Sequence, residues 1–395
     1  MKNLLIVADS LTTGGLEKTL IDLCNNLDYS KYNVDLYLFN EGRDLVSQLN
    51  SNVNLLPDSP YFATVFNKSV SVSLKTLLKQ KRLDLAFYRV VRFLKARFKM
   101  HGFSRMDWFF QKKTMLKIDK SYDVAIGFAE GSAGYYVADC VKAKVKNMWI
   151  HTDIKQITTN KSLDVRAFSV SKNICTVSLN SKNSLTELYP EFKDKIKVFT
   201  LPSLFDFERL EFLSQEPNEM DKTTVNIVSV GRLVELKGFH LCVEPCKRLV
   251  SEGYNVKWYI CGDGPQRLEL EELIKQYGLQ NNFILLGNKR NPYTYINSAS
   301  ICVQPSSYEG LSLVIYEEKL FKKAVVCTGI KGNLEMIADG KNGLVIKRDS
   351  ESIYKAVKKL LDDAQLMKKL GEEPALNFVD KQTTIKNIEK TFLDE

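Results

Sequence analysis

From residue 225 onward the chain alternates short apolar runs with helix-like stretches, joined by only a few residues. The runs are VNIVSVG (225–231), NVKWYICG (255–262), NFILLG (282–287), ICVQP (301–305) and AVVCTG (324–329). Between them lie the helix-like stretches 238–251, 265–278, 291–300 and 313–321. Strand alternating with helix at short spacing specifies a parallel sheet wrapped by helices. The strand-like runs are almost continuously apolar, as strands covered on both faces must be.

The first half starts the same way, with LLIVA (4–8), GGLEKTLIDLCNNL (14–27) and YNVDLYLFN (32–40). After a basic interruption come YDVAIGFA (122–129), NMWIH (147–151) and ICTVS (174–178). At 395 residues, two cores are expected. The pattern predicts two doubly wound, Rossmann-like α/β domains. The first spans residues 1–205 with a basic insert at about 68–120, and the second spans 206–372. A C-terminal helix over 373–395 is expected to pack back on the first domain. The polar stretch SQEPNEMDKTT (214–224) belongs to a linker region near 200–222.

No run of eighteen apolar residues is present, so no transmembrane helix is expected. The N-terminal MKNLLIVADSL reads as a first strand and not as a secretory signal. Eight cysteines without a Cys-x-x-Cys pair read as buried thiols in a reducing cytoplasm. His240, Cys242 and Cys246 in HLCVEPC do not share one helical face, so no zinc site, and no other metal site, is expected. The formal charge is +9. Residues 68–120 hold fifteen Lys/Arg against three Asp, and the rest of the chain carries a net of −3.

Ligands of doubly wound sheets bind beyond the carboxyl ends of the strands, and two such domains are expected to face each other across a cleft. The polar motifs fall at those strand ends. VGRLVELKG presents Gly231, Arg232 and Lys237, a fixed guanidinium and a mobile ammonium suited to a pyrophosphate. Two solvated surface bases are the other reading. CGDGP carries Gly262 and Gly264 at a turn, with Pro265 at the first position of a helix. It is a close-approach turn or simply a turn. Gly14 and Gly15 open a helix whose amides suit a phosphate or a sugar hydroxyl, or they answer only a packing need. His151 ends the NMWIH strand, in a functional or a structural role. In PSSYEGLSLVIYEE (305–318), Ser312 is placed to cap a helix from Leu313, with amides near 312–314 open to an anion. Glu309 sits in the loop before that helix and Glu317 lies on it.

Taken together these motifs resemble the retaining glycosyltransferases of family four, which have the GT-B fold and are also grouped as glycosyl transferases group one. The resemblance covers nearly the whole chain and is strongest over 225–346. It rests on the Glu-x7-Glu of Glu309 and Glu317, with VGRLVELKG, GDGP, CTGIKG, NGLVI, GGLEK and IHTD in order. It implies a nucleotide-sugar donor, uridine-diphosphate-linked, with no further cofactor. By resemblance Arg232 and Lys237 bind the donor diphosphate, and Glu317 holds the ribose hydroxyls. Glu309 meets the donor sugar, and the amides of Gly310, Leu311, Ser312, Leu313 and Val314 lie near sugar and phosphate. His151 approaches the sugar, and Gly15 allows close contact to phosphate or acceptor. The acceptor implied is a glycan or lipid-linked glycan of bacterial-type surface polysaccharide synthesis. No Asp-x-Asp occurs, so a metal-independent transfer with retained configuration is expected. A silent partner subunit and a GT-B epimerase or phosphorylase are the alternatives. The chain departs from the family pattern at Ser312, Lys322, Ala324 and Leu334, and in TLPSLFD (200–206).

The insert contains AFYRVVRFLKARFK (86–99), amphipathic when wound as a helix. Phe87, Val90, Val91, Leu94 and Phe98 share one side, and Arg89, Arg92, Lys95 and Lys99 another. Either the apolar side packs on the first domain with the bases in solvent, or the segment meets an anionic membrane. In the second case Trp108, Phe109 and Phe110 are expected to enter the interface. A protein peripheral to the inner face of the cell membrane would result. No nucleic-acid motif is present, and no nucleic-acid partner is expected.

Overall fold

The computed structural model describes residues 1–395 except 13, 99, 101, 158, 200–206, 377, 378, 380, 394 and 395. Lys99 and the stretch TLPSLFD therefore lie outside the described residues. The chain divides into two compact units, Met1–Leu204 with Lys381–Glu395, and Phe205–Asp380.

The first unit holds a seven-stranded sheet in the order β3-β2-β1-β4-β5-β6-β7, every pair parallel. Its strands are β1 (Lys2–Ala8), β2 (Tyr32–Leu38), β3 (Asn54–Leu55), β4 (Ser121–Gly127), β5 (Lys142–Ile150), β6 (Asn173–Thr176) and β7 (Ile196–Val198). At its centre Ile6 pairs with Leu36 on one side and Ile126 on the other. The central residues are fully buried, which is why the sequence shows no alternation there. The C-terminal helix Lys381–Ile388 and the turn Glu389–Leu393 pack on this unit. Phe392 stacks on Trp149 at 5.0 Å between ring centroids, and Lys2 Nζ donates to the Leu393 carbonyl at 2.6 Å. Residues 373–380 are counted with the second unit. Ala375 is buried in that unit's core, and the Leu376 amide donates to the Met336 carbonyl at 2.8 Å.

The second unit holds a six-stranded sheet in the order β10-β9-β8-β11-β12-β13, also wholly parallel. Its strands are β8 (Val225–Val230), β9 (Val256–Cys261), β10 (Phe283–Gly287), β11 (Ile301–Gln304), β12 (Ala324–Thr328) and β13 (Leu344–Ile346). Apolar clusters around Trp258 and Val326 on one face, and around Ile315 and Cys327 on the other, sandwich this sheet. Two predicted helix starts shift. The stretch after Gly238 runs as a 3-10 turn over Phe239–Cys242 before the helix Val243–Ser251 begins. The helix after GDGP begins at Arg267, with Pro265 and Gln266 in a turn held by the Gln266 amide on the Leu233 carbonyl. All eight cysteines are free, and all but Cys140 are buried. Among the described residues no helix is long and apolar enough to cross a membrane.

The basic insert is a helical layer between β3 and β4, built from Phe62–Phe66, Val70–Lys79, Leu83–Arg97 and Arg105–Gln111. The helix Leu83–Arg97 forms, but it corrects the expected packing. Its buried positions are Leu85, Ala86 and Tyr88, whereas Phe87, Val90, Leu94 and Phe98 are exposed. Trp108 is corrected too, since it is buried and its Nε1 donates to Asp139 at 2.8 Å. Phe110 stacks on Tyr88 at 4.8 Å, so of the three aromatics only Phe109 stands exposed.

Lys322 stands where the family pattern has glycine, and the backbone shows what glycine would do there. Its φ is 56°, in the left-handed region, and the Lys322 carbonyl is packed so closely on Gly371 that a Cβ there would lie 2.4 Å away. A side chain in that region costs about 1–2 kcal/mol. Lys322 is exposed, and among the described residues its side chain makes no hydrogen bond or ion pair that repays this. Lys322→Gly is therefore expected to raise unfolding stability by about 0.5–1 kcal/mol after the unfolded-state entropy of glycine is subtracted. Lys322→Ala, which keeps the strain, should leave it unchanged. Equal denaturation midpoints for the glycine and alanine variants would remove the strain.

Candidate functional site

Three loops at the carboxyl ends of β8, β9 and β11 carry most of the predicted residues. Gly231, φ 156°, follows β8, and the chain passes through Arg232 to a 3-10 turn over Glu235–Lys237. Gly262 follows β9, and a Cβ there would fall 1.8 Å from the Gly231 carbonyl oxygen. A Cβ on Gly264 would fall 2.5 Å from the Leu233 oxygen. The Leu233 amide also donates to the Asp263 carbonyl at 2.9 Å. The space beside Gly262 and Gly264 is thus filled by the neighbouring loop, and their glycine character is required by packing within the protein.

The β11 loop, Pro305–Ser312, delivers the first acid. Lys237 Nζ lies 2.5 Å from Glu309 Oε1, and Ser306 Oγ donates to the same oxygen at 2.9 Å. Both side chains of the pair are only 17% exposed, so water screens their attraction incompletely. Two glycines set this meeting. Gly238, φ 71°, lets the Lys237 turn close on the Pro305 carbonyl, which a Cβ would meet at 2.5 Å. Gly332, in the short helix Lys331–Leu334 after β12, lies under Glu309, whose carbonyl oxygen a Cβ would meet at 2.3 Å. The Ser307 amide donates to the Leu236 carbonyl at 2.8 Å and ties the two loops together. Arg232, one residue beyond Gly231, is exposed and forms no ion pair among the described residues.

The helix Leu313–Leu320 follows. Ser312 occupies its N-cap position, but its buried side chain makes no capping bond, which corrects the capping expectation. The first amides of the helix are left without that partner, beside the Gly310–Leu311 backbone. Leu311 and Leu313 pack on the apolar core and fix the loop from beneath, and Val314 is half-buried in the first turn. One turn on, Glu317 is buried and accepts from Tyr293 Oη at 3.1 Å. Among the described residues no three His, Cys, Asp or Glu side chains converge on a position that would hold a metal ion.

His151 and Gly15 lie on the first unit. His151 follows β5, its amide donates to Glu130 Oε2 at 3.0 Å, and its ring lies 4.7 Å from that of Phe128. Burial lowers its pKa from 6.5 to about 4 against the opposing charge of Glu130, so the imidazole is neutral at pH 7. Its Nε2 is buried with no partner among the described residues. Gly15 opens the helix Gly15–Asn26, whose Gly14 cap supplies no side chain. The Glu17 carboxylate folds over Gly14, where a Cβ would lie 2.2 Å from Oε2. That carboxylate ends a flexible side chain that can swing aside, so this contact does not by itself require glycine at 14.

Sequence reasoning missed Tyr293, Ser306 and Glu130, the partners of Glu317, Glu309 and the His151 amide. No spacing rule links them to the groups they hold. Gly238 and Gly332 were visible inside LKG and CTGIKG, though not as the supports of an acid.

Residues 212–375 match the family described as glycosyl transferases group 1. The chain is 34% identical over 195 residues to the N-acetylgalactosamine-N,N'-diacetylbacillosaminyl-diphospho-undecaprenol 4-alpha-N-acetylgalactosaminyltransferase of Campylobacter jejuni, covering 48% of this chain and 51% of that protein. Other matches to curated relatives likewise span about half of the relative's length or less. A longer alignment, 22% identical over 387 residues and 96% of both chains, joins it to the amylovoran biosynthesis glycosyltransferase AmsD of Erwinia amylovora. In structure it is similar to Anabaena Alr3699/HepE, solved with UDP and glucose, at a TM-score of 0.69 and 16% identity over 99% of both chains.

A prediction follows from Glu318, beside Glu317 and completely buried. Burial raises its pKa from 4.5 to about 8, the charge of Glu317 adding to this and the Gln304 hydrogen bond opposing it. The folded protein holds this proton up to about pH 8, while the unfolded chain releases it near 4.5. Stability is therefore lost as pH rises through that window and is level on either side of it. Glu318→Gln keeps the acceptor for Gln304 and removes the titration. Its stability relative to the parent should increase between about pH 5 and about pH 8.5, read by denaturant midpoints. A difference that does not change with pH would show the carboxyl ionised in the fold.

The fold is that of the GT-B glycosyltransferases, and within it residues 212–375 match glycosyl transferases group 1.

Proposed function

We propose that the protein moves a sugar from a nucleotide-sugar donor to a glycan or lipid-linked glycan, with retained configuration and without a metal ion. The observation that carries this reading is the pairing of Lys237 with Glu309 in the loop before the helix, with exposed Arg232 in the loop that bears Lys237. A cation that an anionic donor would recruit is held against an acid suited to sugar hydroxyls. Uncapped helix amides add positive potential at the same place.

In this reading the bond from the anomeric carbon to the donor phosphate oxygen breaks, and its electron pair stays on that oxygen. Arg232, Lys237 and the amides of Gly310–Val314 stabilise the charge that gathers there. Such preorganised groups act without reorganising as the reaction proceeds. The acceptor hydroxyl bonds to the anomeric carbon on the face that the phosphate leaves, and its proton passes to the departing phosphate. Glu309 holds sugar hydroxyls, Glu317 the ribose, and His151, neutral at pH 7, the sugar. The family resemblance supplies these roles. The diphospho-undecaprenol in the name of one relative, and the amylovoran of another, suggest a surface polysaccharide or its lipid-linked precursor as acceptor, made at the inner face of the cell membrane. Uridine diphosphate is the proposed nucleotide, in line with the ligand of a structural neighbour.

A panel of nucleotide sugars tests the reading by thermal shift and turnover. One of them should raise the melting temperature, and turnover should survive a chelator. Arg232→Ala and Lys237→Ala should each lower kcat/KM by about a hundredfold or more, the usual effect of deleting one transition-state donor. A panel without any stabilising nucleotide sugar would overturn the donor site. Loss of turnover in chelator would overturn metal independence, and normal rates in either variant would release that residue from the diphosphate.

A further inference from the structure

The helix Leu83–Arg97 lies on the first unit with Leu85, Ala86 and Tyr88 buried and with Arg92 and Lys95 half-buried beside them. Tyr88 Oη and Lys95 Nζ both reach the buried Asp107, at 3.1 and 2.8 Å. Asp107 is itself locked in a capping box with Ser104. The Arg92 guanidinium lies 4.0 Å from the centre of the Phe66 ring, and Arg89 donates to the Lys68 carbonyl at 2.9 Å. At 100° per residue, Tyr88, Arg92 and Lys95 occupy the arc opposite Leu83, Phe87, Val90 and Leu94. That opposite arc faces solvent. Leu83 is 66% exposed, Phe87 61%, Leu94 45% and, just past the helix, Phe98 70%. Phe87 also touches Phe110 at 6.4 Å, which continues the stripe toward exposed Phe109.

A continuous apolar stripe of this kind is rare on a surface that meets only water. Its surroundings are basic. Lys79 and Lys81 stand exposed just before the helix, Arg97 lies on the apolar arc itself, and Lys113 sits 4.3 Å from the Phe109 ring. The whole segment 68–120 holds fifteen bases and three acids. All three of those acids are paired with bases of the same segment, Asp84 with Arg82 and Lys113, Asp107 with Lys95, and Asp119 with Lys117. An apolar stripe rimmed by an excess of cations complements acyl chains beneath anionic headgroups.

We propose that the outward face of the Leu83–Arg97 helix, with Phe109, docks on an anionic lipid bilayer, its apolar side chains entering the interface and the rim bases meeting the headgroups. The inference deepens the proposed work at a membrane and rests on that reading only for the presence of lipid. The test is co-sedimentation of the full chain with vesicles, without any nucleotide sugar, so failure here leaves the transfer chemistry standing and the reverse also holds. The protein should sediment with vesicles of mixed phosphatidylglycerol and phosphatidylcholine, much less with phosphatidylcholine alone, and less as salt is raised. Phe87→Ser with Leu94→Ser should weaken vesicle binding at least tenfold without lowering the melting temperature, because both side chains are exposed. Leu83→Ser with Phe98→Ser is the second pair, should the first unfold. Absence of sedimentation overturns the proposal. So does equal binding by a folded double variant, which would leave charge alone at work. A lipid-free dimer that the substitutions dissolve, with no vesicle binding, would assign the stripe to a second copy and overturn it as well.

Discussion

Every strand in both sheets pairs in parallel, and that constraint orders the rest of the chain. A parallel neighbour is reached only by a crossover, so each strand leaves its sheet at the same edge. In the second unit this gathers Gly231, Gly262, Pro305 and Gly329 along one edge, each just past its strand. The sheet interior is mainly apolar, and its buried polar side chains, Ser229 and Gln304 among them, are hydrogen-bonded within the protein. The loops that leave the strands at the edge carry the exposed polar groups.

What turns an edge into a site is how closely the loops approach. A Cβ at any of Gly262, Gly264, Gly238 or Gly332 would fall within 2.5 Å of a backbone oxygen on another loop. These contacts fix the separation between the Lys237 turn and the Glu309 loop before either side chain is considered. The ion pair is then made by two short reaches from rigid backbone, at little cost in side-chain entropy. Ser306 takes part from the same loop, so Glu309 is oriented from two directions. An acid held in that way is preorganised for a ligand.

Strand positions and the order of the motifs were legible because their physics is local. Continuous apolar runs mark strands buried on both faces, and glycines mark the turns that leave them. The partners of the acids were not legible, because Tyr293 meets Glu317 across 24 positions and Ser312 looks like a cap until its side chain is seen buried. Lys322 is an intermediate case. Its departure from glycine was visible in the sequence, but only the φ of 56° shows that the backbone there still has the shape a glycine would favour.

The insert shows why amphipathicity alone does not say which side is inside. A helical wheel separates apolar from basic residues and leaves open what lies beneath the helix. Beneath Leu83–Arg97 lies Asp107, buried and bound to its own helix start, and a buried carboxylate without a cation would be costly. Lys95 and Tyr88 answer it, and Phe66 offers its ring face to Arg92. Turning the helix over would bury the phenylalanines but strand Asp107 and remove Arg92 from its ring. A local electrostatic demand therefore sets the rotation of the helix, and the apolar stripe is left outside as the consequence. A chain that keeps such a stripe in water carries a standing cost, which only a second apolar medium or surface can relieve.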